Sequence, residues 1–162
     1  KGYQMVLAGA PSIDDDYYSR ILKGQPVSKV SEETYQLLSH AAAALVTSGT
    51  ATLETALLGV PQVVCYKTPV GPLIRWAFNH IIQCRFISLV NLIADKEIVT
   101  ELFADRFSVK NIRHELDRIL PGQPDRATML QGYQLVAERL GKQSAPDTAA
   151  KEMIEILNKK AR

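Results

Sequence analysis

Excess charge of either sign is what this sequence most plainly lacks. Its 19 Lys and Arg stand against 17 Asp and Glu, a net charge of +2. The basic residues are spread along the chain rather than clustered, which argues against a nucleic-acid partner. Cysteine is scarce as well: Cys65 and Cys84 stand nineteen positions apart with no partners at metal-ligand spacing. That excludes a disulfide framework and a zinc motif, and it predicts a reducing, cytoplasmic setting with two free thiols. The three histidines, His40, His80 and His114, sit beside no serine or cysteine nucleophile in an interpretable motif, so structural roles are expected for them. No run of about 20 uninterrupted apolar residues exists, so a spanning helix is not expected. The most apolar region, 41–66, is broken by Glu54, Pro61 and a Ser/Thr/Gly cluster. Neither G-x-G-x-x-G nor G-K-[ST] occurs, so the two most familiar phosphate-binding fingerprints are absent. No secretory signal opens the chain. With no initiator methionine and a strand pattern almost at once, it reads as a piece of a longer protein.

What remains is ordinary globular material, 162 residues with 46% hydrophobic and 22% charged side chains. That is enough for one domain with a real core. Met5–Ala8 reads as a short buried strand, and Ser12 opens a helix signature with Asp14, Asp15 and Asp16 at its positive end and Gly24 as its stop. Val27–Val30 is a second candidate strand, and Ser31-Glu32-Glu33 starts a second helix. The continuous apolar run 43–47 suits a strand covered on both faces. A helix over 51–59 follows, ended by Gly59, and then the β-branched strand 62–66. The pattern next predicts a helix over 71–84 and a short strand at 86–88. Beyond Ile93 it predicts helices over 97–103, 109–120, 125–141 and 147–160. Strand–helix alternation over 1–93 followed by a helical region over 94–162 implies a doubly wound, Rossmann-like parallel α/β sheet.

The stretch 47-TSGTATLETALLGVP-61 carries the chemistry. It lies at the end of a predicted strand and opens a helix, where an α/β sheet binds its ligands. Unpaired N–H groups and a partial positive charge there suit a phosphate. Gly49 has no Cβ to hold a phosphate off the backbone, and Ser48 and Thr50 offer hydroxyls. Glu54, one turn further on, is placed to accept from the vicinal hydroxyls of a ribose. The same residues equally describe a capped helix with a solvated glutamate, and composition alone leaves the two readings even.

The segments S-G-T-A-T-L-E and A-L-L-G-V-P-Q-V-V-C-Y, followed by 86-FISLVNLIADKEIVTELF-103, resemble the C-terminal half of the lipid-A-disaccharide synthase family. The likeness covers roughly residues 42–120. It implies one half of a GT-B glycosyltransferase, with the active site in the cleft between two Rossmann-like halves. The implied reaction transfers 2,3-diacylglucosamine from its UDP derivative to 2,3-diacylglucosamine 1-phosphate. It forms the lipid A disaccharide with inversion and needs no metal or other cofactor. Carried over by position, Ser48, Gly49, Thr50 and Thr52 match the diphosphate turn and Glu54 the ribose carboxylate. Asn91, Glu97 and Glu101 match a second motif facing the same cleft, with Asn91 and Glu97 as candidate cleft residues; no catalytic residue is assigned in this half. The sequence departs from the family at Val90 (usually proline), Asp95 (usually glycine) and Lys96 (commonly arginine). The general base and acceptor contacts belong to the N-terminal half, so this piece alone is expected to be inactive.

The resemblance also implies a location peripheral to the inner membrane, and a homodimer is compatible with it. Both implied substrates carry acyl chains, so Trp76, Arg75 and Arg85 around helix 71–84 are candidates for touching lipid. The amphipathic end 151–162 reads instead as a solvated last helix. Asp15 and Asp16 read as helix-start carboxylates rather than an acid/base pair. Two enzyme alternatives are the UDP-GlcNAc-using transferase of peptidoglycan precursor synthesis and the related 2-epimerase. The N-L-I-A segment argues against both. The alternative from another class is a non-catalytic nucleotide-binding module.

Overall fold

The computed structural model describes residues 2–47, 49–67, 85–141 and 145–160. In chain order these form β1 (Met5–Gly9), α1 (Asp15–Leu22), β2 (Val27–Ser31), α2 (Thr34–His40), β3 (Ala44–Val46), α3 (Gly49–Leu57) and β4 (Gln62–Tyr66). They continue with α4 (Leu89–Ala94), β5 (Thr100–Phe103), a 3-10 turn (Ala104–Arg106), α5 (Val109–Ile119), α6 (Pro124–Leu140) and α7 (Ala145–Lys160). Every strand pairing is parallel: β1 with β2, and β4 between β3 and β5. The class is therefore α/β with strands joined by helical crossovers, as the alternation predicts. Among the described residues the strands fall into two separate sheets, β1-β2 and β3-β4-β5, rather than one.

The core gathers on β4. Val63, Val64 and Cys65 are all buried, as a central parallel strand covered on both faces requires. Val90 and Ala94 of α4, Leu102 of β5, Ile119 of α5, and Met129, Tyr133 and Val136 of α6 pack around it. Helix α6 comes close to the loop before β5 at Gly132, where an added Cβ would stand 2.5 Å from Ile98 Cγ2. The polar atoms at the start of β4 are held by α6 and α3, apart from Gln62 Oε1, which is buried without a partner among the described residues. The Gln62 N–H donates to Met129 Sδ over 3.3 Å, and Gln62 Nε2 donates to Thr52 O over 2.8 Å. The Tyr133 hydroxyl donates to Val60 O over 3.1 Å. The first strand pair is much more open, with Met5 61% exposed and only Gly9 buried.

Two predicted elements are corrected. Residues 97–103 are not a helix, because β5 occupies Thr100–Phe103. Residues 86–88 are not a strand, since they lead into the Ser88 N-cap of α4. One side chain accounts for both differences. Glu101 sits in the middle of β5, buried, and its carboxylate accepts the N–H groups of Ile87 and Ser88 that a strand would give to a ladder. A smaller shift is the first helix, which begins at Asp15 and not Ser12, with Asp15 and Asp16 in its first turn. The predicted helix 71–84, with Arg75 and Trp76, lies outside the described residues, as does Cys84.

Candidate nucleotide site

Strand β3 ends at Val46 and helix α3 begins at Gly49, so the turn between them stands at the C-terminal end of a parallel strand. Ser48, a predicted contact, lies outside the described residues. Gly49 is the first residue of α3 and Thr50, exposed, the second. A Cβ added at Gly49 would meet nothing within 4 Å, and its φ is not in the left-handed region. Neither packing nor backbone strain therefore requires glycine there, and the space above its Cα is open. The first turn of α3 carries no acidic residue to occupy the positive end of the helix dipole.

Thr52 behaves differently from its neighbours. It is fully buried, and its hydroxyl donates to Gly49 O over 2.5 Å. That bond stiffens the turn from behind and commits the Thr52 hydroxyl to the backbone. Glu54 shares the face of Thr50, four residues away on the same helix. It is half-buried, and among the described residues no partner holds its carboxylate. The turn thus presents backbone donors, open space and one uncommitted carboxylate a helical turn along.

Asn91 and Glu101 lie in the core. Asn91 is fully buried, and its Oδ1 accepts the N–H groups of Ile98 (2.7 Å) and Val99 (3.0 Å). Its Nδ2 donates to Val99 O (2.8 Å) and to Glu101 Oε1 (3.0 Å). Each polar atom of the amide is engaged by the chain itself, joining α4 to β5. Glu101 is 7% exposed and also accepts from the Ser88 hydroxyl over 2.7 Å. Ser88, fully buried, is the member of this cluster that the sequence reading passed over. Its signal was present as the N-cap spacing Ser88-x-x-Asn91, and the Asn91 N–H does reach Ser88 Oγ, at 3.4 Å.

Glu97 is exposed and precedes the N-terminal end of β5, whereas Gly49 follows the C-terminal end of β3. Because the strands run parallel, the two residues stand at opposite ends of the sheet. Glu97 instead borders an open depression of about 390 Å³ shared with Thr100, Glu115, Arg118 and Asp125. Charges in that depression pair with one another: Arg118 Nη1 lies 2.8 Å from Glu115 Oε2 and Arg118 Nε 2.6 Å from Asp125 Oδ2. Among the described residues no three His, Cys, Asp or Glu side chains converge as a metal site would require.

The departures from the family pattern have local explanations. Asp95 caps α4 with φ of +49°, the left-handed region where glycine is unstrained. Val90 is the second residue of α4, where a proline would remove an N–H that has no partner inside the helix. Lys96 is exposed, and its N–H donates to Asn91 O over 3.3 Å.

Known proteins resemble this chain over most of its length. The profile of the lipid-A-disaccharide synthetase family matches residues 18–155. A lipid-A-disaccharide synthase of Solibacter usitatus is 34% identical over 155 residues, covering 94% of this chain and 40% of that protein. One from Myxococcus xanthus is 34% identical over 159 residues, covering 96% and 41%, and one from Syntrophus aciditrophicus is 36% identical over 160 residues, with the same coverages. The chain thus spans about two fifths of the length of the curated relatives it matches. With its parallel α/β architecture, its strand-end turn and a family match over most of its length, this chain belongs to the lipid-A-disaccharide synthase family.

Proposed function

We propose that this chain is the UDP-binding half of a glycosyltransferase that moves 2,3-diacylglucosamine from its UDP derivative to 2,3-diacylglucosamine 1-phosphate. The observation that carries the reading is the half-buried Glu54, one turn inside α3 on the face of Thr50 and without a partner among the described residues, together with the open space at Gly49. The N–H groups at the start of α3, with Ser48 and Thr50, take the diphosphate and stabilise the growing charge on the leaving UDP. Glu54 accepts the ribose hydroxyls. Thr52 and Asn91 act from behind, the first by bracing the turn and the second by fixing α4 on β5. Glu97, at the other end of the sheet, takes no part in this site. The general base and the acceptor site belong to the remainder of the full-length protein. That protein works at the inner-membrane surface because both substrates carry acyl chains; among the described residues no helix is long and apolar enough to cross a membrane.

The test is calorimetric titration of the full-length protein with UDP and with 2′-deoxy-UDP. Glu54→Ala lowers UDP affinity by about 10- to 100-fold, the scale of hydrogen bonds to a charged group, and narrows the gap between the two ligands. Equal UDP affinity in variant and parent overturns the ribose assignment.

A further inference from the structure

Strand β4 opens on a buried amide. Gln62 is fully buried ahead of the apolar Val63, Val64 and Cys65. Its Nε2 donates to Thr52 O over 2.8 Å and reaches the Tyr133 hydroxyl at 3.4 Å. Its Oε1 is buried with no partner among the described residues. An unpaired buried acceptor cancels much of what a neutral hydrogen bond contributes. Neither group that Nε2 meets depends on it. Thr52 O lies inside α3, where the helix supplies an N–H four residues on, and the Tyr133 hydroxyl donates to Val60 O. A methionine would fill the same space without burying an amide, so packing and stability do not account for glutamine here.

What the amide does is hold α3. The side chains that α3 buries fully, Thr52, Thr55 and Ala56, are small, and Leu53 is only partly buried. Both threonine hydroxyls bond to carbonyls of α3 itself, Thr52 to Gly49 O and Thr55 to Ala51 O. Small side chains let a helix approach a sheet closely but interlock weakly against sliding along the helix axis. Gln62 ties that face to β4 through Thr52 O, and Thr52 in turn bonds Gly49, the first residue of the helix. The Tyr133 hydroxyl, placed on Val60 O over 3.1 Å, keeps the amide in orientation.

We propose that Gln62 is a positioning residue for the diphosphate: it sets how far α3 extends along the sheet, and so where the N–H groups at Gly49 and Thr50 meet a phosphate. This rests on the reading that the start of α3 holds the diphosphate of UDP. N–H···O bonds to a phosphate are short and directional, so a displacement of about 1 Å at the helix start breaks their geometry. Glu54 moves with the helix as well, but its flexible side chain follows the ribose, whereas backbone N–H groups have no such freedom.

Calorimetry on the full-length protein with UDP and with uridine tests this. Gln62→Met lowers UDP affinity by about 10-fold and uridine affinity by about 3-fold at most, while its Tm stays within about 3 °C of the parent's. UDP affinity within about 3-fold of the parent overturns the proposal. Parallel losses for UDP and uridine overturn it too, because they mean that the side chain holds the whole site rather than the turn. The parent separates this failure from failure of the underlying reading: a parent that binds UDP no better than uridine has no diphosphate turn, and both fall. The unaltered protein decides the matter even where Gln62→Met does not fold. Its Gln62 side-chain amide resonances move on adding UDP and stay in place on adding uridine; resonances that UDP leaves unmoved overturn the proposal.

Discussion

Asn91 Nδ2 lies 3.0 Å from Glu101 Oε1, and the same oxygen accepts the N–H (2.8 Å) and hydroxyl (2.7 Å) of Ser88. Oε2 takes the Ile87 N–H at 2.9 Å. The carboxylate is thus a buried hub that fixes the start of α4 onto β5, four donors meeting one side chain. A buried charge is tolerable only when its hydrogen bonds are made.

Replacing that hub tests its worth. Glu101→Gln keeps the shape but turns an NH2 group toward donors, so at least one buried N–H loses its partner. The expected loss is about 2–3 kcal/mol, read as a lower urea midpoint with an unchanged m-value. An unaltered midpoint shows that the cluster does not hold α4 in place.

Asn91 separates a scaffold role from a contact role. Asn91→Ala orphans the Ile98 and Val99 N–H groups and Val99 O, and about 2–4 kcal/mol of stability is lost with them. UDP affinity of the variant that remains folded at low temperature stays within about threefold of the parent. A large fall in affinity at full stability places Asn91 on the ligand instead.

At the other end of α4, Asp95 holds φ of +49°. Asp95→Gly relieves that strain and raises stability by about 0.5–1 kcal/mol, less whatever freedom glycine gains in the unfolded chain. Thermal unfolding checks the sign; a lower Tm means that the freedom glycine adds to the unfolded chain outweighs the relieved strain.

How far the sequence disclosed all this varies by residue. The β-branched run 62–66 and the strand-end turn at Gly49 were legible because burial and turn chemistry are local properties. Strand β5 was not. Thr100–Phe103 carries a glutamate at its centre, and Leu102 stands at helical spacing from Ile98 just before the strand, so the local pattern favours a helix. What makes it a strand is tertiary: parallel pairing to β4 and the donors of Ile87, Ser88 and Asn91 around Glu101. The same displacement governs the site. Motif resemblance brings Thr52, Asn91 and Glu97 together with Gly49, whereas the fold buries the first two and sends the third to the opposite end of the sheet. Spacing along the chain does not report which face of an element looks outward.

Alkaline pH gives the last test. Burial pushes up the Cys65 thiol and, with Glu101 adding to it, the Tyr66 hydroxyl. Burial likewise raises Tyr133, which outweighs its hydrogen bond from Gln62. Each group stays protonated in the folded chain at a pH where the unfolded chain ionises, so the folded state binds more protons and stability falls as pH rises. This contribution is complete below the ordinary thiol range, about 8.5, and declines above it, most steeply beyond the tyrosine value of about 10. Tyr133→Phe removes one of the three groups. It loses about 1 kcal/mol at neutral pH with the hydrogen bond to Val60 O, yet its further decline from pH 9 to 10.5 is shallower than the parent's. Urea unfolding at pH 7, 9 and 10.5 separates the two effects. Parallel curves for parent and variant show that the Tyr133 hydroxyl is as free to ionise in the folded chain as in the unfolded one.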